Sequence, residues 1–323
     1  MATMALRAGR SNKGIHMDSV RLGFYAERFR ALCAGILLPG IYLVLAAALA
    51  AAVAYPVFLL SGGDTISQFR TLVSRGGQVI LILGLYPVWR ALKPPPGSLG
   101  FSRDLPRQFG VGFGVGVLML GLHVLGLVAL EVRAFKQGGL SDGVRLASLL
   151  LKATTIGILV ALVEETLFRG ALFGLLRRPV GRVAAVVISA FYFAALHFLG
   201  SHWEGDVAKV GVDTGFRIAL DGFANLSRAS ADSFLGLFAA GALLASVRAV
   251  FPLGLGYCIG LHAAWVFVIK AAKPLTYLVP GARWGSLVGG YDGFVGYLSA
   301  AWVSLLIAGI AAGALRADAA GNE

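Results

Sequence analysis

Long apolar runs broken by short polar clusters dominate the chain. Roughly 20 apolar residues cross a bilayer as a helix, and reading on that scale predicts a first span over 31–61. It carries Pro39 and Pro56, which predict a tilted or broken helix. Further spans are predicted over 77–92, 108–131, 146–176 and 182–200, and after a polar connection over 201–232, at 233–249, 253–270 and 293–315. Pro94-Pro95-Pro96-Gly97 forms a rigid turn after the second span. The fold class expected is all-α, a polytopic membrane protein of about eight transmembrane helices, with a basic N-terminal tail over 1–30 and a helical membrane domain over 31–316. No internal repeat and no soluble domain is visible in the pattern.

Composition reinforces this picture. Of 323 residues, 58% are hydrophobic and 14% charged, and the mean hydropathy is +0.80. A soluble domain carries roughly a quarter charged residues, so lipid must replace water around much of the surface. The 44 glycines suit close approach of membrane helices. The net charge of +12 would suggest nucleic acid on a soluble protein. Here the basic residues sit mostly at span ends, where headgroups account for them, so membrane lipids and no nucleic acid are the expected partners. Arg7, Arg10, Lys13, Arg21, Arg28 and Arg30 favour a cytoplasmic N-terminus, and no cleaved secretory signal is visible among the first thirty residues. Cys33 and Cys258, each in an apolar run, exclude a disulfide framework.

Two patterns carry no catalytic expectation. Gly110, Gly112, Gly114 and Gly116 resemble a nucleotide loop but lie in a lipid-length helix, where helix packing explains them. His123, alone in the third span, reads as a hydrogen-bonded interior histidine.

The chemistry concentrates in the fourth span, at Val163-Glu164-Glu165-Thr166-Leu167-Phe168-Arg169-Gly170. One central charge costs roughly 2.5–3.5 kcal/mol to insert, so three require a function. Glu165 and Arg169 stand four apart with the acid first, the favourable order for an ion pair. Glu164, rotated about 100° away, lacks that partner, which suits it to act as a general base toward water. His197 ends the fifth span after Phe193, and His262 lies in the seventh. At about 1.5 Å per residue, Glu164 lies about 22 Å before Pro179 and His197 about 27 Å after it, at similar depth. His262, about 15 Å beyond Pro252, joins them only if that turn sits deeper.

In the connection, Asp213, Arg217 and Asp221 are spaced as a salt-bridge ladder, with Phe216, Leu220 and Phe223 on another face. Two readings stand: an interfacial helix over the cleft, or a solvated connector.

The motifs Glu-Glu-x-x-x-Arg, Phe-x-x-x-His and His-x-x-x, in order over about 150–270, resemble the CAAX-protease and bacteriocin-processing (CPBP, Abi-type) family of intramembrane proteases. The family commonly has a polar residue where this chain has Val266, beside Trp265, whose indole N–H is an alternative donor. The resemblance implies a catalytic set of Glu164, Glu165, Arg169, His197 and His262. Glu164 and His197 would activate a water, His262 would bind that water or the oxyanion, and Glu165 with Arg169 would brace the helix. The substrate implied is a membrane-associated peptide or protein. Glu164, His197 and His262 also have the composition of a zinc-binding His2Glu set; metal-free chemistry is the preferred reading, with a divalent metal such as zinc held beside it. The alternatives from other classes are a proton- or solute-coupled transporter, which predicts repeated halves with broken helices, and a catalytically silent membrane scaffold. Cleavage by purified protein separates them.

Overall fold

A computed structural model describes the backbone of residues 5–137 and 142–320, and the side chains of 26–137 and 142–313. The side chains of Arg7, Arg10, Lys13 and Arg21 therefore lie outside the described residues. The molecule is an integral membrane helical protein. Its helices are α1 (Ala5–Leu60), α2 (Ile66–Leu92), α3 (Leu105–Ala129), α4 (Gly143–Glu165), α5 (Phe173–Leu176), α6 (Arg182–Leu196), α7 (Val212–Leu226), α8 (Ala231–Val250), α9 (Leu255–Leu275) and α10 (Tyr297–Ala320). A π-helical segment, Thr166–Leu172, joins α4 to α5. The short antiparallel strands β1 (Arg133–Phe135) and β2 (Thr276–Leu278) pair with Ala134 opposite Tyr277.

Among the described residues, six helices are long and apolar enough to cross a membrane. The predicted fifth and eighth spans are shorter apolar helices, Arg182–Leu196 and Tyr297–Gly313. At 15 residues, α6 is about 22 Å long. It stops early because His197 and Phe198 tighten into bonds to the carbonyls three residues back, at 3.2 and 3.1 Å. The break expected in the first span is absent, for α1 runs unbroken through Pro39 and Pro56. Near Pro39, the Tyr192 hydroxyl donates to the Ile36 carbonyl, giving a backbone group beside the proline an outside partner. The second span begins eleven residues before the predicted start, at Ile66, where Thr65 and Gln68 form a capping box. The polar face of its first turns hid this part of the helix from a hydropathy reading.

At the centre stands α9, buried from Leu255 through Trp265 apart from the half-buried Tyr257. Small residues let its neighbours close on it. A Cβ at Gly260 would meet the Phe109 carbonyl oxygen at 2.2 Å, and one at Gly157 on α4 the Ala263 oxygen at 2.5 Å. Gly112 and Gly116 of α3 press likewise on Tyr257 and Leu261, whereas Gly110 and Gly114 face open space. Two of those four glycines thus do the packing expected of all of them.

The amphipathic α7 lies across α1 and α2. Gly215 rests on the Ala51 carbonyl, and Ile218 joins Ala54, Phe58, Phe69 and Val73 in one apolar cluster. Only half of the anticipated ladder forms, Arg217 Nε to Asp213 Oδ2 at 3.2 Å. Asp221 instead accepts from the Ser201 hydroxyl at 2.8 Å and from the His202 N–H at 3.0 Å, with Arg228 at 3.7 Å. This pins the loop before α7 to the helix.

Candidate active site

Glu164 and Glu165 end α4 where the helix widens into the π segment, a geometry frequent at functional sites. Glu165 and Arg169 are fully buried, with Arg169 Nη1 donating to Glu165 Oε1 at 2.9 Å. The pair expected from the sequence therefore forms. Arg169 Nη2 also donates to the Gly241 carbonyl at 3.0 Å, and its guanidinium lies 4.3 Å from the centre of the Phe193 ring. The arginine thus ties α4 to α6 and α8.

The two histidines meet at Glu164. Its Oε2 atom stands 3.9 Å from His197 Nε2 and 4.0 Å from His262 Nε2, and makes no direct hydrogen bond. Those separations are too long for direct hydrogen bonds. Each imidazole is oriented through its other nitrogen. His197 Nδ1 is 2.7 Å from the Phe193 carbonyl and His262 Nδ1 is 2.8 Å from Glu165 Oε1. Both partners only accept, so Nδ1 carries the proton in each ring and the neutral form turns a bare Nε2 toward Glu164.

The depth question for His262 is answered by Arg248. This fully buried residue donates to the carbonyls of Pro252 and Ser98, the latter at 2.9 Å. Ser98 in turn packs on Gly174, where a Cβ would meet its oxygen at 2.4 Å. The turn between α8 and α9 is therefore held level with Gly174. From there, Glu164 and His262 each lie ten residues, about 15 Å, along their helices.

A cavity of about 610 Å3 reaches Glu164 and His197. Its walls come from α1, α2, α4, the π segment and α7, the last through Ile218, Ala219, Gly222 and Phe223. α7 thus runs along the cavity wall, with Phe216 and Leu220 exposed on its outer side. On one flank the lining includes Val79 and Ile82 of α2 and Leu159 and Val163 of α4, all exposed on the apolar surface. It also shares Ser74, Arg75, Gln78, Gly200 and Ser201 with a polar pocket that holds Arg70 and His202.

Trp265 and Val266, which the family resemblance sets beside the oxyanion, stand elsewhere, and His123 is the hydrogen-bonded interior histidine read from the sequence. Trp265 packs with Leu243, Leu244 and Val303 in the core, and neither it nor Val266 lines the cavity. His123 pairs through Nε2 with the Phe294 carbonyl at 3.0 Å, away from the glutamates. Sequence reasoning missed Tyr291, which lines the cavity with its ring centre 5.9 Å from that of His197. It also missed the bond from His262 to Glu165.

Glu164, His197 and His262 have the donor types and outer partners of a zinc site. Their spacing does not fit one as it stands. Tetrahedral ligands at 2.0–2.1 Å from zinc lie about 3.3 Å apart, less than the separations here. Among the described residues no group of three His, Cys, Asp or Glu side chains is placed to hold a metal ion.

No curated protein and no solved structure matches the chain. Over residues 146–268, the stretch that contains all five candidate residues, it matches the family described as Type II CAAX prenyl endopeptidase Rce1-like, in agreement with the CPBP-type resemblance its motifs carry.

Proposed function

We propose that the protein is an intramembrane endopeptidase that hydrolyses a peptide bond of a membrane-associated substrate with water activated by Glu164. The observation that carries this reading is the convergence of Glu164 Oε2 with the two bare imidazole nitrogens at 3.9 and 4.0 Å. A water among them gives one hydrogen to Glu164 and the other to an imidazole Nε2. Glu164 takes the first proton as the water oxygen bonds to the carbonyl carbon and the carbonyl electron pair moves onto oxygen. When the C–N bond breaks, Glu164 returns the proton to the departing amine and the carbonyl re-forms. Glu165 holds His262, and Arg169 holds Glu165, so both are positioning residues.

The reading is metal-free, with a divalent metal such as zinc as the alternative it is tested against. It is tested with purified protein in liposomes, offered prenylated and unprenylated C-terminal peptides. Cleavage that survives a chelator and disappears in Glu164→Ala is the expected result. Cleavage lost to the chelator and restored by zinc would overturn the metal-free step. Cleavage unchanged in Glu164→Ala would overturn the assignment of the base.

A further inference from the structure

Hydrolysis places negative charge on the carbonyl oxygen, and a protein that accelerates it needs a donor there. The obvious candidates are already engaged. His197 and His262 spend their Nδ1 protons on Phe193 and Glu165. Val266 has no donor, and Trp265 is turned into the core. The Ser201 hydroxyl is given to Asp221.

We propose that Tyr291 is a further catalytic residue, its phenol donating a hydrogen bond to the oxyanion formed when water attacks. The inference rests on the proteolytic reading above. Tyr291 lines the same cavity as Glu164, and its ring stands edge-on to His197 at 5.9 Å. The phenol is the right species for the task. A phenol ordinarily titrates at about 10, so it keeps its proton across the neutral range and can donate it in a hydrogen bond.

The loop that presents Tyr291 is also fixed in place, as a preorganised donor must be. The Asp292 carboxylate accepts from the backbone N–H groups of Phe294 and Val295, both at 2.8 Å. Phe294 is fully buried beneath the Arg133 guanidinium, 3.9 Å from its ring centre. Arg133 also donates to the Gly293 carbonyl at 2.9 Å, and His123 pairs with the Phe294 carbonyl. The otherwise unexplained histidine of α3 thus anchors the tyrosine loop.

The test is Tyr291→Phe, which keeps the ring contacts and removes only the hydroxyl. Turnover of one cleavable peptide and binding of its phosphinate analogue, a tetrahedral mimic, are measured together. The expected result is a fall in kcat of about 10²-fold with KM within about twofold. The preference of the protein for the mimic over the uncleaved peptide should fall by the same factor. A variant with wild-type kcat, or one that changes KM alone, overturns the inference while Glu164-dependent cleavage leaves the protease reading standing. An unchanged preference for the mimic also overturns it. A wild-type protein that cleaves none of the peptides removes both.

Discussion

Two neighbouring carboxylates in one helical turn meet opposite fates. Glu165 is fully buried and takes both a guanidinium and an imidazole on Oε1, leaving Oε2 without a partner, whereas Glu164, about 29% exposed, lines the cavity and is bonded directly by neither histidine. Glu164→Ala should therefore abolish cleavage and leave the thermal unfolding temperature in detergent near wild type. Arg169→Ala should behave differently, since it strands the Glu165 charge in a dry site. Breaking such a pair costs roughly 3–5 kcal/mol, and a scanning melt should show it alongside lost activity. Changing both to glutamine should recover more stability than activity; a melt for Arg169→Ala equal to wild type would sink the argument. His197→Ala and His262→Ala should each be nearly inactive and the double variant little worse, because groups acting on one water are not additive. Losses that multiply would assign the histidines to different sites. The Glu165–Arg169 pair was legible in the sequence because helical spacing alone dictates it. The bond from Glu165 to His262 spans 97 positions, and no local pattern encodes contacts of that range.

At the level of helices, the site depends on how near α3 and α4 come to α9, since α9 carries His262. Gly116→Leu should lower the melting temperature and the cleavage rate together, because the new side chain meets the Leu261 carbonyl and Ala264. Gly114→Leu, two positions away and facing open space, should leave both unchanged. Equal effects from the two would mean that the packing is not what holds His262. Hydropathy located the spans well where both faces are apolar. It failed at the start of α2, where Ser67, Arg70, Thr71, Ser74 and Arg75 make a helix look like a loop. It also missed the π turn after Glu165, whose widening depends on what packs around Phe168, Arg169 and Gly170. Tyr291 was invisible for a similar reason: its loop is shaped by Asp292, Arg133 and His123, three residues from separate parts of the chain.

For the molecule as a whole, α7 and the loop before it form a wall of the cavity, and Asp221 fastens them. The Ser201 hydroxyl foremost, with the His202 N–H and Arg228, holds the Asp221 carboxyl below the usual range of about 3.9. Its stabilising contribution is therefore complete above that value and is lost as pH falls through the lower folded one. Limited proteolysis of the 200–230 segment should be slow at pH 6 and faster near pH 3 in wild type. Asp221→Asn should be cut readily at both, and equal protection of wild type and variant at pH 6 would show that the carboxylate is not the fastener.

The cavity described above has lining of two kinds, exposed aliphatic side chains of α2 and α4 and, shared with a polar pocket, Arg75, Gln78 and Ser201. On the proteolytic reading proposed above, a chamber lined in this way would offer a greasy fragment a way toward lipid and a hydrophilic fragment a way toward water. An excess of either released fragment should then slow turnover without abolishing the exit of the other.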